Sequence, residues 1–208
     1  MSLPRFFVEN QVLAAETEAV FPLRLASDDA KHAKVLRLAP GEHVAVIDAD
    51  SDYFECEIVD FSDALPLVSI ARHAEADEAG PQVILLQGLA KGDKMDDIIR
   101  HATEVGIDEF VPLSSSRCVM KLDAKKEEAK RKRWYGISES AAKQSKRMIV
   151  PDVGNVMKFK AAIEAAALDD LAIIPYEDSE SLPGAGGMAL TRELIGSLKP
   201  GQSLSIFI

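Results

Sequence analysis

QGLAKGDKMDDIIRHATEVGIDEFVPLSSSRCVMKL, residues 87–122, reads as the end of a strand, a loop, a helix, a second strand and a basic loop. The preceding PQVILLQ (Pro81–Gln87) is a short apolar run with β-branched residues, as in a buried strand. Lys91-Gly92-Asp93-Lys94 then feeds a helix, with Asp93 as its expected N-cap and Asp96 and Asp97 in the first turn, where the helix dipole favours negative charge. Met95, Ile98, Ile99, Ala102 and Val105 fall at helical spacing and predict one apolar face. Gly106 is placed to end the helix, and FVPL (Phe110–Leu113) is the next strand. Two strands around one helix make a βαβ unit and a parallel sheet.

Outward from this unit, residues 1–73 read as mainly β. RFFVE (Arg5–Glu9), FPLRL (Phe21–Leu25), HVAVID (His43–Asp48), YFECEIVDF (Tyr53–Phe61) and LVSIA (Leu67–Ala71) are short runs broken by turn residues. Ser27 is the expected cap of a short helix that carries His32 and Val35. HAEADEAGP, around residues 74–81, is acidic and Pro-terminated and reads as a linker between two domains. After the βαβ unit a long helix is expected from about Asp123 to Ser145, with Trp134, Ile137 and Ala141 on its buried stripe. MIVPDV (Met148–Val153), LAIIPY (Leu171–Tyr176) and SLSIFI (Ser203–Ile208) read as strands, and KFKAAIEAAAL (Lys158–Leu168) and LTRELIGSL (Leu190–Leu198) as helices. This alternation makes residues 82–208 an α/β layer structure.

The chain has 208 residues, 47% of them hydrophobic and 28% charged, an ordinary globular composition. No apolar run reaches membrane-spanning length, and MSLPRFFVEN lacks a signal-peptide core. Cys56 and Cys118 form no Cys-x-x-Cys, and the four histidines show no ligand spacing, so neither a disulfide framework nor a metal site is expected. A cytoplasmic location is the simplest expectation. The net charge of −10 is unevenly spread. Residues 117–147 hold eleven basic and four acidic side chains, +7 for the segment and −17 for the rest. A basic island in an acidic chain suits a local phosphate-binding site.

KGDKMD (Lys91–Asp96), TEVG (Thr103–Gly106), VPL followed by SSRCVMKL (Ser115–Leu122), and RWYGISESAAKQSKR (Arg133–Arg147) with Val150-Pro151 resemble, in order and spacing, the ribosomal RNA small subunit methyltransferase E family. The resemblance runs from Arg5 to the end of the chain. It implies a PUA-like RNA-binding β-barrel in front of a SPOUT (trefoil-knot class) α/β domain. It implies methylation of N3 of a uridine in 16S rRNA with S-adenosylmethionine as donor, the small ribosomal subunit or its RNA as partner, and a homodimer. Val105 stands where the family usually has Leu, and Lys143 where Glu is common. Ala49-Asp50 follows Asp48 where a glycine is usual. The sequence closes at SIFI (Ser205–Ile208), where the family continues with a Gly-Pro-Glu-Gly-Gly loop and a knotted tail. The expectation is an absent knot segment and weak donor binding by these 208 residues.

The site residues carried by the resemblance are Arg5, His32, Arg37, Lys91, Lys94, Arg117, Gln144 and Arg147 for RNA, and Pro175, Tyr176 and Glu177 for the donor. Several have a plainer reading. Lys91 and Lys94 flank a loop at the carboxyl end of a strand, where open α/β sheets bind ligands, but they also suit a solvated helix start. Arg117 is either a surface arginine or a guanidinium gripping phosphate or a uracil carbonyl. Acid-before-base pairs at i,i+4, such as Glu127–Arg131 and Glu139–Lys143, explain much of the island as a solvated helix face. Gln144 and Arg147 contact substrate or order the neighbouring site. GAGGMA (Gly184–Ala189) matches the dinucleotide fingerprint in form, but no strand runs straight into it, so an oxidoreductase is disfavoured. No Ser-His-Asp, Cys-His or paired-carboxylate set stands out, and no general base is assigned. A sulfonium methyl donor is already activated, so the enzyme chiefly aligns the reactants. The rival reading is a non-catalytic RNA-binding protein.

Overall fold

The computed structural model describes residues 3–62, 65–74, 80–116, 118, 120, 122–176 and 187–208. The chain divides into two compact units, Met1–Glu78 and Ala79–Ile208.

The first unit contains β1 (Arg5–Phe7), a 3-10 turn (Leu13–Ala15), β2 (Phe21–Pro22), α1 (Ser27–Val35), β3 (His43–Ile47), β4 (Tyr53–Ser62) and β5 (Leu65–Ala74). Its sheet runs β1-β3-β4-β5-β2; β1 lies parallel to β3 and the other pairs are antiparallel. Alternation along β4 sends Phe54, Cys56 and Ile58 inward to meet Phe6, Phe21, Val44, Val46 and Val68. The expected barrel is not closed: among the described residues β1 and β2 are the two ends of the sheet and do not pair. β2 is only two residues long, and its Pro22 lacks the N–H a further ladder would need. The turn after Asp48 forms without the usual glycine. The Asp48 carboxylate accepts the N–H groups of Asp50 and Asp52 at 3.0 Å and of Leu13 at 2.9 Å, while Ser51 takes the left-handed conformation at φ 65°. Ser27 proves to be the first helical residue, with Ala26 in the cap position.

The second unit contains β6 (Gln82–Gly88), α2 (Lys94–Val105), β7 (Glu109–Ser114), α3 (Ala124–Ser145), β8 (Asp152–Val153), β9 (Met157–Lys158), α4 (Phe159–Ala166), β10 (Leu171–Ile173), α5 (Gly187–Gly196) and β11 (Ser203–Phe207). Its parallel sheet runs β10-β11-β6-β7-β8, and β9 also pairs with β7. Alternation along β6 and β7 splits the core between two faces. Leu85 and Phe110 pack with Met95 and Ile99 of α2 and Trp134 of α3. Leu86, Val111 and Leu113 pack with Ala162 and Ala166 of α4 and with Phe207.

Gly106 ends α2 in the left-handed region at φ 109°, and Asp123 caps α3 by accepting the Lys126 N–H at 2.9 Å. Asp93 occupies the N-cap of α2 without a side-chain cap bond; its carbonyl oxygen accepts the N–H groups of Asp96 and Asp97. Val105 leaves the predicted apolar face and is 83% exposed in the last turn of α2. The strand expected over 148–153 shrinks to Asp152–Val153, because Pro151 has no N–H for the ladder. β10 ends at Ile173, well before Gly184, and Gly187–Ala189 open α5; Gly184–Gly186 lie outside the described residues, as does most of the expected linker.

Burial pushes the Glu109 carboxyl above the ordinary carboxylate range, and the carboxylates of Asp152 and Asp169 add to it. The folded unit therefore holds this proton more firmly than the unfolded chain. Its contribution to stability is lost as pH rises from the ordinary range through the folded value. Glu109→Gln is expected to raise the melting temperature at neutral pH and to change it little in acid, where Glu109 is protonated in both states. A melting series across pH checks both halves of this expectation.

Candidate functional site

The carboxyl edge of the parallel sheet is where the second unit gathers chemistry. β6 ends at Gly88, whose N–H donates to Ile208 O at 2.7 Å, and the Ile208 N–H returns to Leu86 O at 2.9 Å. A Cβ at position 88 would lie 3.4 Å from Ile208 O, in contact with the neighbouring strand end. Gln87 is buried and donates to Gly88 O at 3.1 Å. The chain then turns through Leu89, whose N–H donates to Leu113 O at 2.9 Å, and Ala90, whose N–H points at Met95 Sδ at 3.3 Å. These anchors hold the loop that presents Lys91 and Lys94, both exposed.

The first turn of α2 brings in a residue pair that the sequence reading did not connect. Asp96 is buried, and its carboxylate accepts a hydrogen bond from Arg133 Nη2 on α3. α3 starts beside the carboxyl end of β7 and, at about 1.5 Å per residue, runs to the opposite edge. Lys126, Lys130 and Arg133 therefore belong to the same end of the sheet as Lys91 and Lys94.

Cys118 sits in the loop after β7, within 3.4 Å of the Ser115 N–H and 3.3 Å of its hydroxyl. The Ser115 hydrogen bonds hold its thiol below the usual range. Cys56, by contrast, is pushed up to about 12 by burial, with Glu55 adding to it. Brief iodoacetamide treatment near neutral pH is expected to label Cys118 and spare Cys56, as read by peptide mass spectrometry.

The other expected RNA residues are scattered. Gln144 is exposed at the far end of α3, in a groove of about 350 Å³ with Arg100, Glu104 and Ser140. Arg147 turns inward. Its Nη1 donates to Thr103 O at 3.2 Å and to Ile107 O, and its Nη2 donates to Asp108 Oδ1 at 2.9 Å. All these acceptors precede β7, so Arg147 ties the end of α3 to the turn after α2 at the amino edge, opposite the edge that holds Lys91 and Lys94. In the first unit Arg5 lies over the Tyr53 ring at 5.6 Å, His32 meets Phe6 edge-on at 6.4 Å, and Arg37 is exposed at φ 54°. Arg117 and Glu177 lie outside the described residues.

Of the residues expected at the donor, Pro175 and Tyr176 continue with Ile174 past the carboxyl end of β10, next to that of β11, because Ile173 is in register with Ile206. Ile174 and Tyr176 are 54% and 55% exposed. Among the described residues no cluster of His, Cys, Asp and Glu could hold a metal, and no helix is long and apolar enough to cross a membrane.

A family model described as an RNA methyltransferase domain matches residues 78–200, the parallel-sheet unit almost entirely. The ribosomal RNA small subunit methyltransferase E of Bacillus subtilis is 31% identical over 206 residues, covering 98% of this chain and 78% of its own length. A solved structure of a hypothetical protein superposes with a TM-score of 0.82 at 29% identity, covering 98% of this chain and 79% of that one. The methyltransferase E of Neisseria gonorrhoeae, solved with S-adenosyl methionine, shares the fold at TM-score 0.74 and 20% identity, over 99% of this chain and 79% of that one. Fold and matches define an RNA methyltransferase domain behind a smaller β unit. The chain belongs to the ribosomal RNA small subunit methyltransferase E family.

Proposed function

We propose that the protein transfers a methyl group from S-adenosylmethionine to N3 of a uridine in 16S rRNA. The observation that carries this reading is family likeness along 98% of the chain, combined with a cationic carboxyl edge in a chain of net charge −10. Lys91 and Lys94 present their charge there, and Lys130 and Arg133 add theirs from α3. Such a group suits RNA phosphate, which binds basic patches through counterion release.

The residues present fit part of the donor. The exposed Tyr176 ring and Ile174 offer an apolar surface to an adenine, and Pro175 stiffens the loop between them. The donor supplies a methyl group already activated by its sulfonium. What remains for the protein is alignment, and help for the loss of the uracil N3 proton. Cations beside the uracil oxygens would stabilise the anion that forms, and Lys91 and Lys94 are placed on the edge where that can happen.

The reading includes a homodimer. Met188, Leu190, Leu194 and Ile195 of α5 are exposed, as are Phe159 and Ile163 of α4, and apolar faces of this kind suit a second copy.

The test uses the purified protein, methyl-labelled donor, and small ribosomal subunits from cells lacking the gene. Label on N3 of a 16S rRNA uridine is the expected result. Label on another atom overturns the N3 assignment. Tight RNA binding with no transfer from the donor favours the non-catalytic reading instead.

A further inference from the structure

We infer that a shallow basin on the first half of α3 is a subsite for one nucleotide of the RNA, with Arg133 gripping its phosphate and Asp96 positioning Arg133. This rests on the methyltransferase reading and adds to it a place for a nucleotide and the residues that would hold it. The basin measures about 290 Å³ and is lined by Leu122, Lys126, Ala129, Lys130 and Arg133. Spacings of three and four residues put Lys126, Ala129, Lys130 and Arg133 on one stripe of the helix. The floor is apolar, from Leu122 and Ala129, and the rim is cationic. A nucleotide has that shape of chemistry: a flat base that favours contact with apolar groups, and a phosphate that favours cations.

The rim cations are not equivalent. Lys126 is tied to Asp123 at 2.8 Å, both exposed. Arg133 is anchored at one nitrogen by the buried Asp96, while its Nη1 and Nε have no partner among the described residues. A guanidinium held at one corner keeps the rest of its planar fork aimed outward, and phosphate is the anion that fork matches. Asp96 lies two residues after Lys94 in the first turn of α2, next to the loop that carries Lys91, so the pair also ties the basin to the carboxyl edge of the sheet. The apolar floor of Leu122 and Ala129, which suits a base, favours RNA over an acidic peptide as the occupant.

The test measures binding of fluorescent oligouridylate, and of polyphosphate as a baseless polyanion, across a salt series. Arg133→Ala should weaken both ligands and lower the salt slope by roughly one contact. Ala129→Gln fills the floor of an exposed helical position without changing charge. It should weaken oligouridylate by about tenfold at an unchanged slope, and leave polyphosphate alone. Asp96→Asn is the sharpest arm. A diffuse basic patch would bind tighter once a negative charge is removed, whereas loss of positioning makes binding weaker, with melting temperature followed alongside. Unaltered oligouridylate binding in Ala129→Gln, or tighter binding in a folded Asp96→Asn, overturns the subsite. Label transfer by the unaltered protein is read in parallel. Transfer that persists while the variants bind normally removes the subsite alone; absence of both transfer and RNA binding removes the methyltransferase reading.

Discussion

Arg147→Ala is expected to destabilise the second unit by about 3 kcal/mol, the scale for breaking a buried ion pair from one side. The guanidinium is buried and serves Thr103 O, Ile107 O and the Asp108 carboxylate together. Its removal leaves Asp108 facing an uncompensated site and two carbonyls short of a donor. In a domain of this size the melting temperature should fall by roughly 10 °C. The salt slope of RNA binding should stay as it was in protein that remains folded. The opposite pattern, an unchanged melting temperature with a reduced slope, would return Arg147 to the RNA interface.

Trp134→Ala should cost about 4 kcal/mol, because the side chain is 1% exposed and fills the layer between α3 and the sheet. Trp134→Phe should cost much less than its loss of volume suggests. The buried indole N–H has no hydrogen-bond partner among the described residues, so no bond is lost with it. Denaturant unfolding of both variants measures the two costs. A Trp134→Phe cost at or above the value set by its lost volume would show that the indole N–H is satisfied.

The βαβ unit was legible because its signals are local. An apolar run, an aspartate-rich first turn and Gly106 lie within one stretch, and each acts through its immediate neighbours. Asp123 and the buried stripe of α3 were readable for the same reason. Contacts between distant residues were not. Arg147 and Arg133 both stand in a basic island, and nothing beside them in sequence says that one is buried on Asp108 while the other leans on Asp96. The available signal was the partner: an acid in the turn before a strand, and another in the first turn of a helix. Val105 kept the helical period, yet period alone does not say how far a sheet extends beneath the last turn. The open sheet of the first unit was hidden similarly. Strand runs can be read from alternation, but closure depends on whether the two end strands reach each other, and β2 is too short to extend the ladder.

Disruption of the gene in the organism that carries it, followed by nucleoside mass spectrometry of its 16S rRNA, tests the central claim most directly. The account predicts loss of N3-methyluridine, and its return when the gene is restored. Unchanged N3-methyluridine in the disrupted strain would contradict it.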